Sequence, residues 1–194
     1  MSVVFFDFDG TLTRRDTILP LGLFLARKGP NKFRKVSQLI RRWLMLKFRL
    51  ITNHAFKERF CELLLKNELE EAIRKDASTF VENYVYGILR KQVVEKLNNH
   101  IQKGDEVYLL SSNFGFVLRL MQRMWGLSGV IATEAEIDSG RFTGRILGRS
   151  CEGKEKLARA VNCLGENSVR ASTAYGDSRG DYELLNFVKN ANWV

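Results

Sequence analysis

Short apolar runs alternate with amphipathic stretches along most of the chain. The apolar runs cover residues 3–6, 106–110, 130–133 and 169–175, and a last one begins at Trp193-Val194. They are rich in β-branched and aromatic residues, which is typical of buried strands in a parallel sheet. Helical spacing predicts helices over residues 17–26, 33–51, 54–66, 68–85, 90–103, 114–125, 153–163 and 179–188. This alternation favours an α/β fold with helices on both faces of a parallel sheet.

The predicted helices are unevenly placed, because five of them follow the first strand before a second strand occurs, and four of these lie within residues 16–89. We therefore expect a core domain of residues 1–15 and 90–194. An all-helical domain of residues 16–89, which we call the helical block, is expected to be inserted into that core. Gly29-Pro30 should interrupt the block after its first helix, and Ile137–Arg141 should form a hairpin turn.

Polar side chains follow the predicted strands at the points where the strands end. They are Asp7, Asp9, Thr11 and Thr13, then Ser111, Ser112 and Asn113, then Lys154 and Lys156 at a helix start, and finally Asp177 and Asp181. Ligands of parallel sheets bind at the carboxyl ends of the strands, so we expect these side chains to meet there. Several carboxylates at one site repel each other without a cation, and hard oxygen ligands favour Mg²⁺. The sequence therefore predicts a magnesium site suited to phosphate substrates.

Four short motifs resemble those of the haloacid dehalogenase (HAD) superfamily of phosphotransferases. The segment Asp7-Phe8-Asp9-Gly10-Thr11-Leu12-Thr13 resembles the first motif of the superfamily. Leu109-Leu110-Ser111 resembles the second motif, and Cys151-Glu152-Gly153-Lys154-Glu155-Lys156 resembles the third. Gly176-Asp177-Ser178-Arg179-Gly180-Asp181 resembles the fourth. Their order and spacing also match, and the helical block lies where the phosphoserine-phosphatase-like branch, subfamily IB, carries its cap. The resemblance implies a Rossmann-like HAD core with an inserted all-helical cap.

The resemblance also implies roles for the four acidic residues. Asp7 would be the nucleophile, attacking phosphorus to form an aspartyl-phosphate. Asp9 would protonate the leaving group and then activate water, a role that a raised pKa supports. Mg²⁺ would be held by Asp7, the backbone carbonyl of Asp9, and Asp177. Asp181 would reach the ion through water.

Two further catalytic roles follow from the same resemblance. Ser111 would donate a hydrogen bond to a phosphoryl oxygen. A lysine would bridge Asp7 and the phosphate and stabilise the charge of the transition state. The related branch favours Lys156 for this role, whereas the shorter spacing of true phosphoserine phosphatases would favour Lys154.

The residues predicted to bind substrate depart from a strict phosphoserine phosphatase. Asp16 stands nine residues after the nucleophile, where those enzymes carry an acid, usually glutamate, that meets the substrate's amine. Arg59 is the nearest candidate for their carboxylate-binding arginine. Ser112 and Asn113 replace the glycines that usually continue the second motif. We expect all four to bind substrate, and the departures favour a different phosphate ester.

The net charge of +9 arises from one segment of the chain. Between Asp16 and Glu58 there is no acidic residue, and the segment carries Arg27, Lys28, Lys32, Arg34, Lys35, Arg41, Arg42, Lys47, Arg49 and Lys57. This charge favours a small anionic substrate or one borne by a membrane. The stretch from Leu184 to Val194 is similar to phosphatidylglycerophosphate phosphatases, which again indicates a lipid-headgroup phosphate.

The leading hypothesis is a Mg²⁺-dependent phosphomonoester hydrolase. Its alternatives are a phosphotransferase or phosphomutase on the same core, or a basic module that binds membranes or nucleic acid. Nucleic acid is disfavoured because the chain carries no known docking motif. Peripheral contact with an anionic membrane and a solvated basic helix both fit the cationic segment.

The expected location is cytoplasmic, with peripheral membrane attachment as the open alternative. The chain has no run of 18 apolar residues, and its first residues lack the basic segment of a secretory signal. Its cysteines, Cys61, Cys151 and Cys163, are odd in number and far apart. This pattern indicates a reducing compartment.

Overall fold

A computed structural model describes residues 2–28 and 31–194 of the chain. The strands are β1 (Val3–Phe6), β2 (Glu106–Phe114), β3 (Gly129–Thr133), β4 (Ala135–Asp138), β5 (Arg141–Ile146), β6 (Thr173–Gly176) and β7 (Asn190–Trp193). Within the described residues, five of them form a parallel sheet in the order β3-β2-β1-β6-β7. Strands β4 and β5 form a separate antiparallel hairpin. The hairpin turn predicted at Ile137–Arg141 is therefore confirmed.

The helices follow the predicted order with small shifts of their ends. They are α1 (Ile18–Ala26), α2 (Lys32–Lys47), α3 (Asn53–Leu64), α4 (Glu70–Phe80), α5 (Lys91–Gln102), α6 (Gly115–Trp125), α7 (Lys154–Leu164), α8 (Glu166–Arg170) and α9 (Tyr182–Phe187). Single irregular turns cover Phe8–Leu12, Val81–Val85, Tyr86–Ile88 and Arg179–Asp181. The predicted break at Gly29-Pro30 lies outside the described residues.

The central strand β1 is buried on both faces, which explains its continuous apolar sequence. Val4 and Phe6 face one cluster of apolar side chains, which includes side chains of α5 and α6. Phe5 faces the other cluster, which includes side chains of α7 and α9. Side chains of a strand alternate between its two faces, so one short run supplies both layers. The predicted α/β fold with helices on both faces of a parallel sheet is confirmed.

The last predicted strand is misplaced, because β7 covers Asn190–Trp193 and does not begin at Trp193. Two further details of the predicted strands are wrong. Ser111, Ser112 and Asn113 were expected in a turn, but they continue β2 to Phe114. The strand expected over 169–175 starts only at Thr173, because α8 occupies the residues before it. Both errors concern strand ends, where hydrogen bonding to a neighbouring strand decides the conformation and local sequence does not.

The chain enters and leaves the helical block at two points that lie side by side. Thr13 and Leu89 form an isolated antiparallel bridge. On either side of it, the Arg14 N–H donates to the Ile88 carbonyl and the Arg90 N–H to the Leu12 carbonyl, both at 2.8 Å. We call this pairing the neck. The division into domains of residues 1–15 and 90–194 and of residues 16–89 stays a prediction.

None of the helices in the described part of the chain is long and apolar enough to cross a membrane.

Candidate active site

The turn after β1 places Asp7 at the carboxyl edge of the sheet. The Asp7 N–H donates to the carbonyl of Tyr175 on β6 at 2.9 Å, which fixes the backbone between two strands. The turn then bends at Gly10, whose φ is +82°. A Cβ at this position would lie 2.1 Å from Asp177 Oδ2, so only glycine fits. The first and fourth motifs therefore meet through a contact that requires Gly10.

Lys156 is the lysine that the structure brings to Asp7. Its Nζ donates to Asp7 Oδ1 at 2.8 Å and also to Asp181 Oδ1. All three side chains are buried. Lys154 is exposed and lines a different cavity beside His54 and Arg149. Of the two lysines that the sequence left open, only Lys156 has the position that the proposed role needs.

Burial and the neighbouring charges both shift the pKa values of Asp7 and Lys156. Burial raises the pKa of Asp7 to about 6, and the nearby Asp181 carboxylate also raises it, whereas Lys156 lowers it. Burial alone would lower the pKa of Lys156, but the Asp7 and Asp181 carboxylates raise it overall. Lys156 therefore stays charged at neutral pH. Ser111, which lies within β2, also lowers the pKa of Asp7.

Three carboxylates converge in a way that suits a divalent cation. Asp7, Asp177 and Asp181 each present an oxygen within 4.8 Å of those of the other two. Asp177 is exposed, and its Oδ1 accepts a hydrogen bond from Thr11 Oγ1 at 3.3 Å. Burial of the carboxyl group and the Asp181 charge raise the pKa of Asp177. Oxygen ligands of this kind match the preference of Mg²⁺, so the residues present fit the predicted ion.

Both oxygens of Asp181 already accept hydrogen bonds from the protein. Oδ1 accepts from Lys156, and Oδ2 accepts from the Ser178 N–H at 3.1 Å and the Ser178 hydroxyl at 2.9 Å. These contacts hold Asp181 rigidly beside the other two acids. They are compatible with the predicted indirect role, in which Asp181 reaches the ion through water.

Asp9 is held by donors from two separate parts of the chain. Its Oδ1 accepts from the N–H and the hydroxyl of Thr17, at 3.0 and 2.7 Å. Its Oδ2 accepts from Asn113 Nδ2 at 2.8 Å. Burial raises the pKa of Asp9 well above its usual range, the Asp16 charge adds to this effect, and the Thr17 hydrogen bonds oppose it. A carboxyl group with a raised pKa is protonated more easily, which favours a role in general acid–base chemistry.

The four residues predicted to bind substrate lie in different surroundings. Asp16 and Ser112 line a cavity together with the acidic cluster. Asn113 is instead buried, where its amide group donates to Asp9 and to Thr17. Arg59 points elsewhere, because its guanidinium pairs with Glu62 and reaches Gln38. The structure thus corrects the expectation for Asn113, which orients Asp9, and for Arg59, which lies away from the cavity.

The cavity at the acidic cluster has a volume of about 430 Å³, and both basic and acidic side chains line it. Its basic lining residues are Arg14, Arg15, Lys47, Arg90 and Lys156. Asp7, Asp9 and Asp177 line it on the side of β1 and β6. A small ester with one or more anionic groups matches this charge pattern, because the cations attract it towards Asp7.

Sequence reasoning missed Lys57, a fully buried lysine on α3. Its Nζ donates to the carbonyl of Ser112 and to Ser150 Oγ, the latter at 2.8 Å. Burial lowers the pKa of Lys57 to about 8, and the Glu152 charge opposes that shift. Thr133 Oγ1 donates to the same Ser112 carbonyl at 2.7 Å. Lys57 therefore ties the helical block to the end of β2. The sequence carries no signal for this contact, which depends on how α3 packs.

We expect Lys57→Met to lower kcat/KM for a phosphomonoester about tenfold, because a charge-assisted hydrogen bond to the cavity wall is lost. Its stability should change little, since an apolar side chain replaces a buried charge. Steady-state kinetics and thermal unfolding check both statements. Lys66→Met, which changes an exposed lysine just after α3, is the matched control. Wild-type kinetics in Lys57→Met would contradict the positioning role.

The geometry defines a class of protein, namely an enzyme with a buried aspartate, a paired lysine and clustered carboxylates at the edge of a parallel sheet. The sequence pattern of the haloacid dehalogenase-like hydrolase family matches residues 4–186, and the chain belongs to this family. The predicted HAD membership is therefore confirmed.

Individual relatives agree with this assignment. Protein CicA of Caulobacter vibrioides is 30% identical over 185 residues, which cover 94% of this chain and 81% of CicA. Phosphoserine phosphatase SerB1 of Mycobacterium tuberculosis is 25% identical over 98% of this chain and 63% of its own length. A crystal structure of a protein of unknown function from Bordetella pertussis superposes with a TM-score of 0.81 at 26% identity, covering 95% of this chain and 86% of that one. The prediction of a HAD-type phosphatase is confirmed.

Proposed function

We propose that the protein is a Mg²⁺-dependent phosphomonoester hydrolase that forms an aspartyl-phosphate on Asp7. We further propose that its substrate is a small anionic or lipid-headgroup phosphate. The observation that supports this best is the buried Asp7–Lys156 pair, which lies beside two further carboxylates at a cavity that is also lined by arginines and a lysine of the helical block. The basic lining residues Arg14, Arg15, Lys47 and Arg90 favour an anionic substrate.

The first half of the reaction transfers the phosphoryl group to the protein. A carboxylate oxygen of Asp7 forms a bond to phosphorus while the bond from phosphorus to the leaving oxygen breaks. Asp9 gives its proton to that leaving oxygen, so an alcohol departs rather than an alkoxide. The raised pKa of Asp9 supports this proton transfer, because burial favours the protonated form of its carboxyl group.

The second half of the reaction releases phosphate. Asp9, now ionised, accepts a proton from a water molecule, and the resulting hydroxide attacks phosphorus as the bond to Asp7 breaks. Thr17 and Asn113 hold Asp9 in one orientation through both steps. Lys156 compensates the negative charge on the transferring group, and Ser111 donates to one of its oxygens. Inorganic phosphate leaves and Asp7 is restored.

Asp7, Asp177 and the backbone carbonyl of Asp9 would hold the Mg²⁺ ion, with Asp181 in contact through water. When bound, the ion masks the negative charge of the phosphate, which allows an anionic carboxylate to approach. Burial and neighbouring charge already raise the pKa values of Asp7 and Asp177. A bound cation would oppose these shifts, because a positive charge favours the ionised carboxylates.

The competing enzyme hypotheses share the same fold and reacting residues, and they differ in the molecule that accepts the phosphoryl group. A phosphotransferase or phosphomutase would use the same Asp7 and Asp9 but transfer the phosphoryl group to a second alcohol.

We also propose a cytoplasmic location for the protein and substrate-binding roles for Asp16 and Ser112.

Hydrolysis of p-nitrophenyl phosphate tests the proposal. We expect phosphate release that requires Mg²⁺, stops with EDTA and proceeds with water as the sole acceptor. The diester bis(p-nitrophenyl) phosphate is the matched control and should react at least about a hundredfold more slowly, because the cavity is built for a terminal phosphate. Activity that needs an added alcohol would favour the transferase, and activity unaffected by EDTA would contradict the metal requirement. Phosphoserine and phosphatidic acid then separate small from lipid-borne substrates.

A further inference from the structure

Helix α2 carries apolar side chains on two faces, and only one of them is packed. Val36, Leu39, Trp43 and Leu46 pack against the apolar core. Other apolar side chains are exposed, namely Phe33 (82%), Ile40 (39%), Leu44 (43%) and, directly after the helix, Phe48 (73%). We call this second set the outer stripe.

The members of the outer stripe lie on one side of the helix, with the exposed Ser37 between Phe33 and Ile40. At about 100° per residue, its four members fall within about a quarter of the helix circumference. Leu50, which follows the helix, is also 70% exposed. Exposed apolar side chains scattered singly need no explanation, but an aligned row with aromatic residues at both ends marks an interaction surface.

Basic residues border the stripe on both sides. Arg34 and Arg41 are exposed on one side, and Lys32 and Lys47 are exposed on the other. No acidic residue occurs between Asp16 and Glu58, so the helix supplies no carboxylate that could neutralise them. A partner of this surface must therefore accept apolar side chains and, directly beside them, provide negatively charged groups.

We propose that the outer stripe docks on the surface of an anionic lipid bilayer, with α2 lying in the plane of the interface. An interfacial helix of this type buries aromatic and aliphatic side chains at the headgroup boundary while flanking arginines and lysines contact anionic headgroups. Nucleic acid would satisfy the cations but leave Ile40 and Leu44 without an apolar partner. A bilayer satisfies both features of the surface.

The position of Lys47 connects this surface with the cavity. Lys47 ends α2 beside Phe48 and also lines the cavity that contains Asp7. A docked helix therefore brings the cavity mouth to the level of the lipid headgroups. This second step rests on the proposed phosphatase function, because it gives access to phosphate esters carried by lipids. Docking itself does not depend on catalysis.

Co-sedimentation with vesicles tests the docking surface. We expect the full chain to bind vesicles of equal parts phosphatidylglycerol and phosphatidylcholine, and to bind pure phosphatidylcholine at least tenfold more weakly. The double variant Phe33→Ser/Phe48→Ser should lose at least tenfold in affinity for the anionic vesicles. Arg34→Gln/Arg41→Gln should also bind more weakly and respond less to added salt. Leu147→Ser, which changes an apolar residue 60% exposed outside α2, is the matched control and should bind like wild type.

Several outcomes would overturn the proposal. Wild type that stays in the supernatant with anionic vesicles at low salt would exclude docking. Equal binding by wild type and the Phe33→Ser/Phe48→Ser variant would move the contact elsewhere. Sedimentation of wild type without vesicles, abolished in that variant, would identify a second copy of this chain as the occupant. Thermal unfolding of each variant confirms that it is folded. Hydrolysis of p-nitrophenyl phosphate in the same samples reports the catalytic proposal separately.

Discussion

Replacing Asp7 with Asn should lower kcat for phosphomonoester hydrolysis by at least about a thousandfold, because the amide cannot form the aspartyl-phosphate. The substitution keeps the size of the side chain and one oxygen that can accept the Lys156 hydrogen bond. The loss should therefore fall on kcat, with little change in KM. Steady-state kinetics with p-nitrophenyl phosphate and Mg²⁺ measure this effect. Retention of a tenth or more of wild-type kcat would exclude Asp7 as the nucleophile.

The same variant should be more stable than wild type at alkaline pH in buffer without divalent cations. Burial raises the pKa of Asp7 from its ordinary 3.8 to about 6, so the folded protein holds this proton more tightly than the unfolded chain. The stability that Asp7 contributes is thus complete below about pH 4 and is lost as pH rises through 6. The amide side chain of the variant does not titrate and has no such dependence. We expect a Tm a few degrees above wild type at pH 8 and a gap that closes towards pH 4.

Replacing Lys156 with Met should remove both activity and stability. The buried carboxylates of Asp7 and Asp181 would then face each other without the cation that pairs with both. Breaking a buried ion pair in this way costs about 3–5 kcal/mol at pH 8. Urea unfolding without divalent cations measures this loss, which should shrink at pH 5 as Asp7 becomes protonated. We also expect kcat to fall by about a hundredfold or more.

Lys154→Met is the matched control for this experiment. Lys154 lies two residues earlier on the same helix, and it is exposed. Its replacement should change the free energy of unfolding by less than about 0.5 kcal/mol and leave kcat unchanged. If the two variants behaved alike, the assignment of Lys156 would be wrong.

The acidic cluster could be predicted from the sequence because parallel strands impose it. Asp7 and Asp177 directly follow β1 and β6, which are neighbours in the sheet. The carboxyl ends of neighbouring parallel strands lie together whatever the loops do. Alternation of strands and helices was enough to bring these two motifs to one edge, although they are far apart in the chain.

Contacts made by the helical block could not be predicted in the same way. Arg59 and Lys57 are both basic and stand two residues apart on α3, so they point in nearly opposite directions, about 200° apart. Only tertiary packing decides which of them faces the cavity, and the structure selects Lys57. The same reason explains the two apolar faces of α2, since periodicity alone does not show which apolar residues find a partner.

The neck between Thr13 and Leu89 has a consequence for how such an enzyme can change its specificity. Residues paired across an antiparallel bridge lie only about 5 Å apart. The two ends of the helical block therefore leave the sheet side by side. A segment of different length or sequence can be spliced between them without stretching β1 or α5. Asp7, Lys156 and Asp177 lie outside the exchanged segment, whereas Thr17 and Lys57 go with it. Chimeras made at the neck should thus keep the reacting groups and acquire new substrates, provided that the new segment brings a donor for Asp9.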